Sequence, residues 1–172
     1  MYDAYLFAYD ASSTAITEVL GMVGDEVRVA CPVLGCQNLY VAVADSTYLG
    51  LLSKVAAVAA VDDIGTVQTF VPTGDPGEYE FPTYALVNDF VGFSFVVTSP
   101  GQADSVYAAV QSVTGVIGAT TVVGVGANVL VEMTGSDQSA VGDVMEDVAA
   151  LTNVLSVTTA IGATASGDGW PT

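Results

Sequence analysis

The chain has 172 residues, 52% of them apolar, which suits one domain or two small ones sharing a core. Lys and Arg total 2 against 19 Asp and Glu, a formal net charge of −17; so negative a surface repels phosphate backbones and excludes direct nucleic-acid binding. Apolar runs break at Gly, Asp or Asn well short of the ~18 residues a membrane helix needs, and the start, Met1-Tyr-Asp-Ala-Tyr-Leu-Phe7, reads as a strand without Lys or Arg. The expectation is a soluble, cytoplasmic protein with no membrane partner. The charge reads as a solubility device in surroundings where salt screens self-repulsion, in preference to a site for a basic partner.

In chain order, residues 3 to 10 alternate Tyr5, Phe7 and Tyr9 against Ala4, Leu6 and Ala8, so both faces of that strand are apolar and both should be covered. Ser12-Ser13-Thr14 caps a helix carrying Ile16, Leu20 and Val23, which Gly24-Asp25 ends. Val27 to Val33 forms the second strand, with Pro32 at an edge or a bulge. Cys31 and Cys36 would face opposite sides of one strand, so a disulfide needs the strand to break between them. A zinc site would lack His, and buried free thiols are favoured.

Gly35-Cys-Gln-Asn38 turns the chain into a third strand, and Asp45-Ser46 starts a helix carrying Leu51, Leu52, Val55, Val58 and Ala59. Asp62-Asp63 stops that helix, and Thr66 to Val71 is a strand. Pro and Gly mark residues 72 to 90 as a connection with aromatic weight in Tyr79, Phe81, Tyr84 and Phe90; the alternation Tyr79-Glu80-Phe81 reads as pairing along or packing on a sheet edge, in preference to stacking on a ligand.

A strand from Phe93 to Thr98 follows, then a helical pattern through Val106, Val110, Val113 and Ile117. The turn Gly124-Val-Gly126-Ala-Asn128 leads into a strand ending near Met133. Next come a helix with Val141, Val144, Met145, Val148 and Ala149, and a strand from Leu155 to Ile161. The tail from Gly162 holds the only tryptophan, Trp170, and is expected to fray or dock on its own domain or a neighbour.

The second half repeats the first. Asn38-Leu-Tyr-Val-Ala-Val43 matches Asn128-Val-Leu-Val-Glu-Met133 at a shift of 90 positions, as Val67-Gln-Thr69 matches Val157-Thr-Thr159 and Ile16, Leu20 and Val23 match Val106, Val110 and Val113. The predicted fold class is α+β: two ferredoxin-like βαββαβ repeats packed sheet to sheet as a pseudo-dimer. The repeats are placed at residues 1–73 and 91–163, with a connecting segment at 74–90 and a tail at 164–172.

These tandem units, with a Gly-x-x-Asn turn, a strand of alternating aliphatics, a helix and a Val-x-Thr strand, resemble the effector-binding RAM domain of Lrp/AsnC transcription regulators without their helix-turn-helix. The family usually has Gly-x-x-Asp at the turn, whereas Asn38 and Asn128 stand here; a family glycine near Ile64 and Val154 is also absent. The resemblance implies a stand-alone module for an amino-acid-like effector. Its ligand-binding candidates are Gly35, Gln37, Asn38, Gly124, Gly126 and Asn128 at the turns, with Thr69 and Thr159 on the end strands. Gly lets a ligand approach the backbone and Asn offers donor and acceptor; the competing role for each is turn-making alone.

No cofactor and no metal are expected, and the expected macromolecular partner is a further copy of the chain or another protein joined through the sheet edges. Tandem ferredoxin-like units also build the dimeric α+β barrels of small monooxygenases and isomerases. Against an enzyme, the chain has no His, only Arg28 and Lys54 as cations, and acids placed on loops and exposed helix faces, so the expectation is a non-enzyme. A non-catalytic oligomerisation protein is a further reading. Tandem ACT-type units are another, though Asp10-Ala-Ser-Ser13 lacks their glycine.

Overall fold

The computed structural model describes residues 2–24, 27, 29–33, 37–73 and 90–163. Gly35, Cys36, Arg28, the aromatic segment 74–89 and the Trp170 tail lie outside the described residues, and Cys31 is described in its backbone only.

Strand β1 (Tyr2–Tyr9), helix α1 (Ser13–Gly21), strands β2 (Val29–Pro32) and β3 (Gln37–Asp45), helix α2 (Tyr48–Ala59) and strand β4 (Thr66–Pro72) come first. The order recurs in β5 (Phe90–Thr98), α3 (Ala103–Val110), β6 (Val116–Val123), β7 (Val129–Gly135), α4 (Gln138–Ala149) and β8 (Val154–Ala163). Within each repeat the strands lie second-third-first-fourth, all antiparallel, which is the ferredoxin-like arrangement.

The end strand of the first repeat then pairs with the second strand of the next, Val71 beside Val123 and Pro72 beside Val122, giving one sheet in the order β2-β3-β1-β4-β6-β7-β5-β8. Threonines extend this seam, the Thr73 N–H donating to the Thr121 carbonyl at 2.9 Å and the two hydroxyls meeting at 2.6 Å. Among the described residues β2 and β8 each pair with a single strand, so the sheet is joined on one side only.

The alternation along β1 explains the layers. Ala4, Leu6 and Ala8 face α1 and α2, where they pack with Val19, Leu51 and Val58. Tyr5 and Phe7 face the other way and join Tyr40, Phe70, Phe93, Phe95 and Leu130 in a core drawn from both repeats. Phe7 sits at its centre, with ring centroids 4.9 Å from Tyr40, 5.9 Å from Phe93 and 4.5 Å from Phe95, while Tyr40 stacks on Phe93 at 4.6 Å. The repeats therefore pack sheet against sheet and bury the face that one ferredoxin-like unit would leave in water.

Several local expectations are corrected. The helix expected to reach Ile117 ends at Val110; after Gly115, at φ 92°, the β-branched run from Val116 enters β6. In α1 the buried residues are Ala15 and Val19, matching Val106 and Val110 at a shift of 91, while Ile16, Leu20 and Val23 are half-buried. One residue of slip turns a helix by about 100°, and since both columns are apolar the sequence could not choose between them. In β1 the shift is 88, because Ala8 pairs with Leu39 where Val96 pairs with Val129.

Gln37 and Asn38 open β3 and are not turn residues, and the second strand is shorter than Val27 to Val33. Pro32 lies on edge strand β2, where its missing N–H costs no ladder bond.

Candidate functional site

The β4–β6 seam positions the groups of interest. Antiparallel pairing of β1 with β4 sets Tyr9 opposite Thr66 and Phe7 opposite Gln68, so Tyr9 and Gln68 reach one face of the sheet at its end. The Tyr9 hydroxyl accepts from Gln37 Nε2 at 2.8 Å and donates to Gln68 Oε1 at 3.0 Å. Gln68 Nε2 in turn donates to the Val125 carbonyl in the β6–β7 turn. A single hydrogen-bond chain thus runs from β3 of the first repeat to a turn of the second.

Two glycines let that turn approach. A Cβ on Gly124 would enter the Phe70 ring and lie 3.0 Å from the Thr69 carbonyl. Gly126 holds φ 87°, a left-handed conformation that favours glycine, with its missing Cβ position 3.3 Å from Gln68 Nε2. The result is an open cleft of about 560 Å³ lined by Tyr9, Asp10, Thr66, Val67, Gln68, Thr69 and Val125. Among the described residues its charged lining is one carboxylate, Asp10, which is exposed and itself at φ 54°. Among the described residues the lining holds no Lys or Arg.

Of the candidates from sequence, Gln37, Thr69, Gly124 and Gly126 gather at this seam, Gln37 through its bond to Tyr9. Asn38 does other work: its Oδ1 accepts from the Ala11 N–H at 3.0 Å and its Nδ2 donates to the Ala11 carbonyl at 2.7 Å. Asn128 likewise accepts from the Thr98 N–H at 3.1 Å. Asn38 thus pins the loop that leads from β1 to α1, and Asn128 pins the end of β5, just before the corresponding loop. Thr159 lies in the other repeat's end strand, its hydroxyl 2.6 Å from that of Ser94. Gly35 lies outside the described residues.

Tyr9, Asp10, Gln68 and Val125 were missed, because only strand pairing and the inter-repeat seam bring them together. The expectation that all acids are solvated is also corrected: Glu132, in mid-β7, is 1% exposed. It shares a strand face with Leu130, toward the inter-sheet core, and its register neighbours are Phe93 and Gly118. In sequence the signal was present, since Glu132 interrupts Val-Leu-Val with a carboxylate where the first repeat has Ala42.

The fold is an antiparallel α+β fold of two ferredoxin-like units. No protein-family model matches the chain, and no curated protein matches it in sequence. Among solved structures it is similar to the siroheme decarboxylase NirDL, with a TM-score of 0.71 at 11% identity, covering 94% of this chain and 71% of that one. It is also similar to a candidate monooxygenase from Lactobacillus acidophilus, with a TM-score of 0.52 at 9% identity over 94% and 92% of the chains. A major regulator of staphylococcal pathogenesis aligns with a TM-score of 0.50 at 10% identity over 96% and 100%. At these identities the fold alone is shared.

The expectation of a non-enzyme is corrected by these likenesses, since the fold that this chain adopts also carries a decarboxylase and a candidate monooxygenase. Among the described residues no helix is long and apolar enough to cross a membrane.

Proposed function

We propose that the chain is a small-molecule-binding module of the Lrp/AsnC effector-domain type, with its site in the β4–β6 cleft between the repeats. The observation that carries this reading is the Gln37–Tyr9–Gln68–Val125 hydrogen-bond chain, which fixes polar groups from both repeats around one opening. A volume of about 560 Å³ falls within the range of ligand clefts. Since Asp10 is the only charged lining group among the described residues, the ligand presents an ammonium or hydroxyl donor, and an amino-acid-like effector would turn its amine toward that carboxylate. A bare polyanion is disfavoured by the net charge of −17.

A second reading is an enzyme acting on a ligand of the same class, supported by the decarboxylase and monooxygenase likenesses and by the Tyr9 hydroxyl, the ionisable donor beside Asp10. The decarboxylase NirDL has also been seen with an iron-uroporphyrin III analogue. That ligand does not fit the residues here. It is a polycarboxylate, whereas this chain has 2 Lys and Arg in all against 19 Asp and Glu.

The test is a thermal-shift screen of the common amino acids and simple amines, repeated on Gln68→Ala and Tyr9→Phe. A ligand at ~100 times its Kd stabilises by about 2.7 kcal/mol, or roughly 5–11 °C in Tm for a chain of this size. The shift should vanish in Gln68→Ala. A ligand whose shift survives both substitutions would place its site elsewhere. Consumption of a bound ligand, lost in Tyr9→Phe while binding persists, would favour the enzyme.

A further inference from the structure

We propose that the outer face of α2 is a self-association surface, through which two copies of this chain dock helix against helix. The duplication supplies an internal control. Helices α2 and α4 have the same length, stand 90 positions apart and are capped alike, Thr47 Oγ1 accepting from Gly50 N and Asp137 Oδ1 from Ala140 N. Their buried faces correspond, Leu51 and Val58 with Val141 and Val148.

Their outer faces do not correspond. Tyr48, Leu49 and Leu52 of α2 are 56%, 76% and 46% exposed, whereas α4 has Gln138, Ser139 and Gly142 at those positions. Further along, exposed Ala56 stands where α4 has Glu146. Tyr2 widens the patch, 45% exposed, its ring 6.2 Å from that of Tyr48. Since α4 does the same structural work with a polar exterior, the fold does not require the apolar exterior of α2. Contiguous exposed apolar surface on one element marks an interaction site.

Charge selects the occupant. Each copy carries −17, so two copies repel wherever acids face each other. Among the four helices of the described residues α2 alone has no Asp or Glu; α1 has Glu18, α3 has Asp104, and α4 has Asp143, Glu146 and Asp147. A basic partner would be drawn to the acidic faces. The acid-free face is where a second identical chain can approach, and the positions i, i+1, i+4 and i+8 (Tyr48, Leu49, Leu52, Ala56) form one stripe for a twofold helix pair.

Sedimentation velocity on the full chain, at about 1 to 100 μM and in low and high salt, tests this. The wild type should dimerise, and more tightly as salt rises, because salt screens the repulsion between copies. Leu49→Ser/Leu52→Gln should raise the dimer Kd at least about tenfold with an unchanged circular dichroism spectrum, and Leu49→Glu should do the same. Ser139→Ala on α4 should change nothing. A wild type that stays monomeric in high salt overturns the proposal, as does a dimer that both α2 variants retain. Capture of a monomer by zwitterionic vesicles would likewise overturn it, in favour of a lipid surface.

Discussion

Replacing the two repeat-related asparagines separates a fold-pinning role from a ligand role. Asn38 makes two hydrogen bonds to the backbone of Ala11, and Ala11 is 6% exposed, so Asn38→Ala strands a buried N–H and a buried carbonyl. At about 1 kcal/mol net per bond, and more where water cannot replace it, the cost is about 2–3 kcal/mol. Asn128 makes one such bond, to the Thr98 N–H, so Asn128→Ala should cost about 1 kcal/mol. For a chain of this size each kcal/mol is worth roughly 2–4 °C in Tm, which gives losses of about 4–12 °C against 2–4 °C. Asn38→Asp keeps the acceptor for the Ala11 N–H but turns an oxygen on the Ala11 carbonyl. It should fall between wild type and Asn38→Ala, and recover as the carboxylate is protonated in acid. Differential scanning calorimetry on the three variants gives the ranking. Equal losses for Asn38→Ala and Asn128→Ala, or a larger loss for Asn128→Ala, would refute the hydrogen-bond accounting.

Other outcomes follow from the packing. A Cβ on Gly50 would collide with the Asp45 carboxylate, while in the second repeat the roles are exchanged and Gly135 makes room for Ala140. Gly50→Ala should therefore destabilise, and Asp45→Gly/Gly50→Ala should be more stable than the sum of its single variants, as a double-mutant cycle in urea would measure. Asp45 accepts from the backbone N–H and then the hydroxyl of Thr47, and has Lys54 Nζ 3.7 Å away; these hold its carboxyl below the ordinary value of 3.8 against a smaller opposing effect of desolvation. A carboxyl depressed in the folded state adds stability above its ordinary value, and loses it as pH falls through the depressed one. Asp45→Asn should accordingly show a shallower loss of stability over that acid range, read by urea melts at stepped pH. Phe7→Ala empties the centre of the core shared by both repeats and should cost about 3–5 kcal/mol. Separate unfolding of the repeats in the wild type, seen as two calorimetric transitions, would contradict a shared core.

The Asn38 and Asn128 strands, together with the Val-x-Thr strands, made the duplication legible. Alternating apolar residues on both faces of β1 then required a second layer on each side, which is why the sheet-to-sheet architecture was legible in the sequence. These are short-range patterns, and strand and helix periodicity encode them directly. Ser12 likewise declared the start of α1, because a capping side chain acts three residues away.

Other features depended on distance in space. Ala15 and Ile16, like Val19 and Leu20, offer helix α1 two apolar faces, and only the packing of the folded chain shows that Ala15 and Val19 are the buried pair. The seam required β4 to meet β6, which brought Gln68 beside Val125, 57 positions away, and Tyr9 beside Gln68 across 59. Asn38 looked like a turn residue until its partner proved to be Ala11, on the far side of a strand pairing. A residue's own type and neighbours state which bonds it can make; only the folded chain states which groups come within reach to make them.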